Sequence, residues 1–276
     1  MKLRTVRRGT QSLGILLGVF GVTGIGMTHL LFPGLHCYAC PLAITVCPIG
    51  LMQNLIISGT VPFYLLGMIA AYGLLLGRGW CGWFCPFGTV NDLLAFRKVR
   101  FLRALSPLKL LVLLGTGVAA WRLADTWFCK LCPAASLTAS LPYLALGVAE
   151  VNPPFLIHMA TLAAVLAGMA LVARFWCRYL CPMGGLLSLF NRASFFGLRL
   201  RADRCTACGL CARSCPMGIE PHREINSGDC IKCGECVRSC SSGALSIGFS
   251  LPGARGRDPL RAAGPSPGAD GIPPRQ

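Results

Sequence analysis

The chain has 276 residues, of which 54% are apolar and only 13% charged, with a formal net charge of +16. So few charges leave too little polar surface for an ordinary soluble domain, and membrane insertion is the first expectation. The positive charge does not indicate nucleic acid, because the basic residues gather at Lys2 to Arg8, Arg97 to Lys109 and Arg192 to Arg204, flanking apolar segments as topogenic charges do.

In chain order, no Asp, Glu, Lys or Arg occurs between Arg8 and Arg78. About 20 residues cross a hydrocarbon core, and Pro33, Gly34, Pro41 and Pro48 interrupt the run. A first span is expected at 12–32, a short re-entrant or interfacial helix at 42–56, and a second span at 59–78. A third span is expected from Leu108 to Phe128, with Arg122 and Asp125 pairing on one face. A fourth runs from Val151 to Phe175, opening after Asn152-Pro153-Pro154. Parity then places the N-terminus, the 79–107 loop and everything after Phe175 on the cytoplasmic side of a prokaryotic inner membrane. Trp80, Trp83, Trp127 and Trp176 fall at the expected boundaries and read as interfacial anchors.

The expected anchor, residues 1–198, contains an internal repeat at about 33–100 and 125–195. Trp80-Cys81-Gly82-Trp83-Phe84-Cys85-Pro86-Phe87-Gly88 matches Trp176-Cys177-Arg178-Tyr179-Leu180-Cys181-Pro182-Met183-Gly184. Upstream, Cys37-Tyr38-Ala39-Cys40-Pro41 matches Cys129-Lys130-Leu131-Cys132-Pro133. A parallel repeat about an axis along the membrane normal follows.

Residues 199–251 are compact, polar and cysteine-dense, and 252–276 read as a disordered tail rich in proline and glycine. Cys205, Cys208, Cys211 and Cys215 repeat the spacing of Cys230, Cys233, Cys236 and Cys240, C-x2-C-x2-C-x3-C in both runs. In two-cluster ferredoxins the fourth cysteine of each run ligates the other cluster. One [4Fe–4S] cluster is therefore assigned to Cys205, Cys208, Cys211 and Cys240, and the second to Cys230, Cys233, Cys236 and Cys215. Two zinc sites are the competing reading, but zinc has no need of a third cysteine at the next x2 position. Gly209 and Gly234 read as tight-turn residues, and Leu198–Leu200 and Leu245–Phe249 as two short pairing strands.

This order of motifs resembles the membrane-bound polyferredoxins of the NapH and NosR type, with the related FixG/CcoG proteins. The resemblance rests on Cys81-x3-Cys85-Pro86, Cys177-x3-Cys181-Pro182 and the two-cluster domain, and covers roughly residues 10–250. It implies an all-α anchor of four transmembrane helices plus a small α+β ferredoxin domain. It also implies electron exchange with the quinol pool, respiratory reductases or metal-centre assembly.

The repeat symmetry would bring Cys81, Cys85, Cys177 and Cys181 to one centre, as a further cluster, redox-active thiols, structural cysteines or another metal site. Cys37, Cys40, Cys129 and Cys132 would gather on the outer side, as a cluster, disulfides or a dithiol site, with Cys47 an extra ligand, resolving thiol or spectator. The two groups would stand something near the ~30 Å hydrocarbon thickness apart. No dinucleotide fingerprint, phosphate loop or hydrolytic triad marks a self-sufficient enzyme. The expectation is an electron-transfer subunit of a larger oxidoreductase system, with membrane lipid, quinol and a redox protein as partners and no nucleic acid. The alternative is a metal-centre assembly or thiol/copper redox accessory protein.

Overall fold

A computed structural model describes residues 2–19, 47–61, 63–94, 105–145, 147 and 152–251. The first expected span lies largely outside these residues, as do Cys37, Cys40 and the 252–276 tail. The N-terminal part is helical: α1 (Lys2–Val19), α2 (Pro48–Ile57), α3 (Phe63–Leu75), α4 (Gly79–Trp83), α5 (Pro86–Leu94), α6 (Leu108–Leu123), α7 (Trp127–Lys130), α8 (Pro133–Ala135), α9 (Leu141–Ala145), α10 (Pro153–Leu171) and α11 (Pro182–Phe190). Single π-helical turns occupy Ser136–Ser140 and Trp176–Leu180.

Local chemistry sets these boundaries. Four helices open on a Cys-Pro step, at Pro48, Pro86, Pro133 and Pro182, where proline's missing N–H costs nothing. The Asn152 side chain caps α10 by accepting from the Phe155 N–H at 3.0 Å. Left-handed residues follow two of the long helices, Gly77 (φ 55°) after α3 and Ala124 (φ 47°) after α6, while α10 passes into extended Val172 (φ −124°, ψ 119°) ahead of left-handed Arg174 (φ 60°).

These breaks overturn the four-span anchor. The apolar helices run to 13, 16 and 19 residues, and α10 includes Pro153, Pro154 and His158 in its first two turns. Among the described residues, no helix is long and apolar enough to cross a membrane. The membrane fold class, the inner-membrane location with its sidedness, and the topogenic reading of the basic residues are corrected accordingly. A core forms around Ile49, Phe87, Met169, Met183 and Leu187, with α6 packed against α2 and α11, while large apolar side chains such as Phe63, Leu111, Leu114 and Trp121 are exposed.

Two basic residues of the groups expected to mark topology, Arg7 and Lys109, are buried in ion pairs. Arg7 and Arg174 share Asp92, and Arg78 and Lys109 share Asp229. The expected Arg122–Asp125 pair does not form: Asp125 binds Lys130, and Arg122 lies over the Trp121 ring. Trp176 is not an interfacial anchor either; it is buried against Phe87 and Phe128.

The cysteine-dense segment carries an antiparallel pair, β1 (Phe196–Leu200) and β2 (Leu245–Phe249), running from Phe196 opposite Phe249 to Leu200 opposite Leu245. Two short helices, α12 (Leu210–Arg213) and α13 (Glu235–Ser239), follow the cysteine loops. Leu198, Ile219 and Leu245 form a small core with Cys211, Cys230 and Cys236.

Candidate metal centre

The two Cys-x3-Cys-Pro repeats cross reciprocally. Arg78, three residues before Cys81, donates to the Cys177 carbonyl at 2.7 Å, and Arg174, three before Cys177, donates to the Cys81 carbonyl at 3.1 Å. Each guanidinium also reaches the thiol of its own repeat. Cys81, Cys85, Cys177 and Cys181 are all buried, and their charges act on one another. Burial pushes the thiols of Cys81, Cys177 and Cys181 up, with the arginines opposing it at Cys81 and Cys177. Gly88 and Gly184 hold equivalent places: a Cβ on Gly88 would lie 2.6 Å from the Cys81 carbonyl oxygen, and one on Gly184 3.2 Å from Arg78.

The charge around this quartet is unbalanced. Each carboxylate, Asp92 and Asp229, serves two cations. Burial raises the Asp92 carboxyl, but Arg174 and Arg7 outweigh it and hold the group below the usual carboxylate range. Arg78 Nε is buried with no hydrogen-bond partner. A surplus of buried positive charge beside four thiols fits an anionic, thiolate-bound centre.

The quartet adjoins the second cysteine run. A Cβ on Gly82, between Cys81 and Cys85, would fall 2.3 Å from the Ile231 carbonyl oxygen and 3.7 Å from Cys233 Cα. Trp83 Nε1 donates to the Lys232 carbonyl at 2.8 Å, and Asn191 Nδ2 donates to the Cys230 carbonyl at 2.8 Å. Lys232 is itself buried, donating to the Leu76 and Asn191 carbonyls and to Ser194 Oγ. The loop is thus fixed to the helical body by backbone and ammonium contacts.

The two runs share a backbone pattern. Ala207 (φ 51°) and Gly209 (φ 73°) flank Cys208 as Lys232 (φ 52°) and Gly234 (φ 78°) flank Cys233. Such left-handed residues wrap backbone around a central body, and the expected turn role of the two glycines is what the structure displays. Cys215, Cys230, Cys233 and Cys236 line one cavity with Leu198, Pro216 and Ile231. Burial raises Cys230 to about 12. Cys205 and Cys240 are half-buried and Cys208 is exposed. His222 is buried, with Nδ1 3.5 Å from Cys211 Sγ.

Cys47 and Cys132 are buried and Cys129 is half-buried, and burial pushes the Cys132 thiol well up. No described cysteine is in a disulfide. Among the described residues, no group of three or more His, Cys, Asp and Glu could hold a metal ion. The donor chemistry of the runs and the quartet, soft thiols with backbone N–H groups and buried cations nearby, is of the kind that iron–sulfur ligands use.

Sequence reasoning missed Arg78, Arg174, Asp92, Asp229, Asn191 and Lys232. A signal for the arginines was present: Arg stands three residues before the first cysteine of both repeats.

Comparison with known proteins supports an iron–sulfur protein. A 4Fe-4S binding domain model matches residues 58–103 and 154–202, covering the quartet, and a second 4Fe-4S binding domain model matches 199–219 and 223–246, covering both runs. The uncharacterized protein MJ0750 of Methanocaldococcus jannaschii is 30% identical over 75% of this chain and 87% of its own length. MJ0749 of the same organism is 33% identical over 72% and 76%. The regulatory protein NosR of Pseudomonas aeruginosa is 32% identical over 65% of this chain but only 26% of its own length. No solved structure matches. The chain belongs to the same family as the two Methanocaldococcus proteins, and its 4Fe-4S binding domain matches support an iron–sulfur cofactor and a general electron-transfer role. What these matches carry is 4Fe-4S binding. The membrane-bound polyferredoxin reading, and lipid and quinol as partners, are corrected with the spanning helices on which they rested.

Proposed function

We propose that this chain is an accessory electron carrier with three [4Fe–4S] clusters, serving a protein redox partner within a larger oxidoreductase or metal-centre assembly system. Cys205, Cys208, Cys211 and Cys240 hold one cluster, Cys230, Cys233, Cys236 and Cys215 the second, and Cys81, Cys85, Cys177 and Cys181 the third. When bound, the clusters take up and release single electrons, and the protein supplies spacing, burial and charge. The observation that carries the reading is the seating of the Ile231–Cys233 loop on Gly82, which puts the quartet beside the second run. The half-buried and exposed cysteines of the first run give the partner its access, while Arg78 and Arg174 neutralise charge deep in the body. The name of NosR, a regulatory protein, is in keeping with an accessory rather than a catalytic part.

An anaerobic reductive titration of the loaded chain, followed by EPR, tests this. Reversible one-electron uptake at each cluster is expected. Two-electron uptake that converts a disulfide to a dithiol, with no cluster signal, would contradict the proposal and favour thiol chemistry.

A further inference from the structure

We propose that Arg178 is a positioning residue through which the helical body sets the reduction potential of the second cluster. The inference rests on the assignment of Cys230, Cys233, Cys236 and Cys215 to that cluster. Its starting point is the place where the two repeats part. Trp80-Cys81 matches Trp176-Cys177 and Cys85-Pro86 matches Cys181-Pro182, but between the cysteines Gly82 answers to Arg178, a change of chemical class. Gly82 leaves room for the Ile231 carbonyl beside Cys233, whereas Arg178 reaches the turn that follows Cys215. A Cβ on Gly218 would lie 3.0 Å from Arg178 Nη1, 3.2 Å from Nη2 and 3.4 Å from Cζ, so the guanidinium rests in the space a side chain there would fill. Gly218 has a left-handed φ of 66°, and its N–H donates to the Cys215 carbonyl at 3.2 Å, closing the turn. One repeat thus touches the loop of Cys233 and the other the turn of Cys215, and both cysteines line the same cavity.

Charge gives the contact its consequence. Arg178 is buried at 4% exposure, and its Nε has no hydrogen-bond partner. Its Cζ stands 5.3 Å from the Tyr179 ring. Among the described residues it pairs with no carboxylate, whereas Arg78 pairs with Asp229 and Arg174 with Asp92. A buried guanidinium costs stability unless negative charge faces it. Cys215 supplies that charge when it is a thiolate: the N–H groups of Ile219, Met217 and Gly218 favour its charged form, and Arg178 acts on the same sulfur. Reduction adds one negative charge to a thiolate-bound cluster, and burial makes that addition harder. A cation held beside a ligand sulfur offsets the burial and raises the potential. An electron entering at the exposed first run is thereby drawn inward to the second cluster.

Midpoint potentials are read by EPR during reductive titration of the full anaerobic chain and of Arg178→Gln, with Cys233→Ser identifying the second cluster's signal. A shift of that one centre to lower potential is expected, with the other centres unmoved. Unmoved potentials in the folded, fully loaded variant overturn the proposal, as does an equal shift at every centre. Should Arg178→Gln fail to take up the second cluster, Gly218→Ala decides, because its Cβ pushes the guanidinium back without removing it. A lowered potential at the same centre supports the proposal and an unmoved one overturns it. Failure of both variants to load would give Arg178 a purely structural role and overturn the proposal as well. Absence of the second signal from wild type would overturn the cluster assignment itself, which every other outcome leaves standing.

Discussion

Replacing Asp92 with asparagine isolates the charge network that crosses the two repeats. Arg174 binds both carboxylate oxygens, Nε to Oδ1 at 2.8 Å and Nη2 to Oδ2 at 2.5 Å, and Arg7 shares the second oxygen. The side chain of Arg174 is 1% exposed and that of Arg7 10%, so Asp92→Asn leaves the Arg174 guanidinium without its carboxylate and Arg7 with Glu235 alone, at 3.4 Å. Removing one partner of a buried pair costs about 3–5 kcal/mol. Because the carboxylate itself is 28% exposed and asparagine keeps an accepting oxygen, the lower end, about 3 kcal/mol, is expected. Anaerobic denaturant unfolding of the full chain measures it, with Glu235→Gln as control. Glu235 pairs with the half-exposed Arg238 and at 3.4 Å with Arg7, and its loss should cost under about 1 kcal/mol. Equal destabilisation by the two variants, or a cost below about 1 kcal/mol for Asp92→Asn, would refute the view that the repeats are held by buried charge.

Gly82→Ala should displace the Ile231–Cys233 loop, because the added Cβ meets a backbone oxygen and not a movable side chain. Faster protease cleavage after Lys232, with the quartet's iron retained, would show it. Asp229 is held below the usual carboxylate range as Asp92 is, by Lys109, Ser106 and Arg78 against its burial. Both contributions are therefore complete above an unfolded carboxyl's pKa of about 3.9 and are lost as pH falls through the lower folded values. Unfolding of the cluster-free chain at stepped pH should show the wild-type advantage over Asp92→Asn shrink only below about pH 4. Cys233→Ser should remove about four iron atoms and loosen the segment around β1 and β2, since ligand binding and folding are coupled there; iron counting with protease protection checks both.

The local parts of the structure were the legible ones. The strands around Leu198 and Leu245, the turns at Gly209 and Gly234, and the helix start at Pro153 each depend on a few adjacent residues. The repeat was legible too, and its two halves are crossed by Arg78 and Arg174. Helix length was less so: the expected spans reach 78, 128 and 175, whereas α3, α6 and α10 end at Leu75, Leu123 and Leu171, and the left-handed Ala124 that closes α6 is a residue with no such preference. Charge was misread for a related reason. Arg7 and Lys109 look like flanking cations until Asp92 and Asp229, the latter 120 residues from Lys109, are folded onto them. Lys232, lying between two cysteines, gave no hint of burial, because its partners Leu76, Asn191 and Ser194 come from distant segments.

The central claim is that the crossed repeats bind a cluster of their own beside the two ferredoxin clusters. The most direct measurement is iron and sulfide content, with EPR of the reduced state, on the full anaerobic chain and on Cys81→Ser/Cys177→Ser. A loss of about four iron atoms and one reducible centre, with both ferredoxin clusters intact, is the predicted result. An iron content and spectrum identical to wild type in the folded double variant would contradict it.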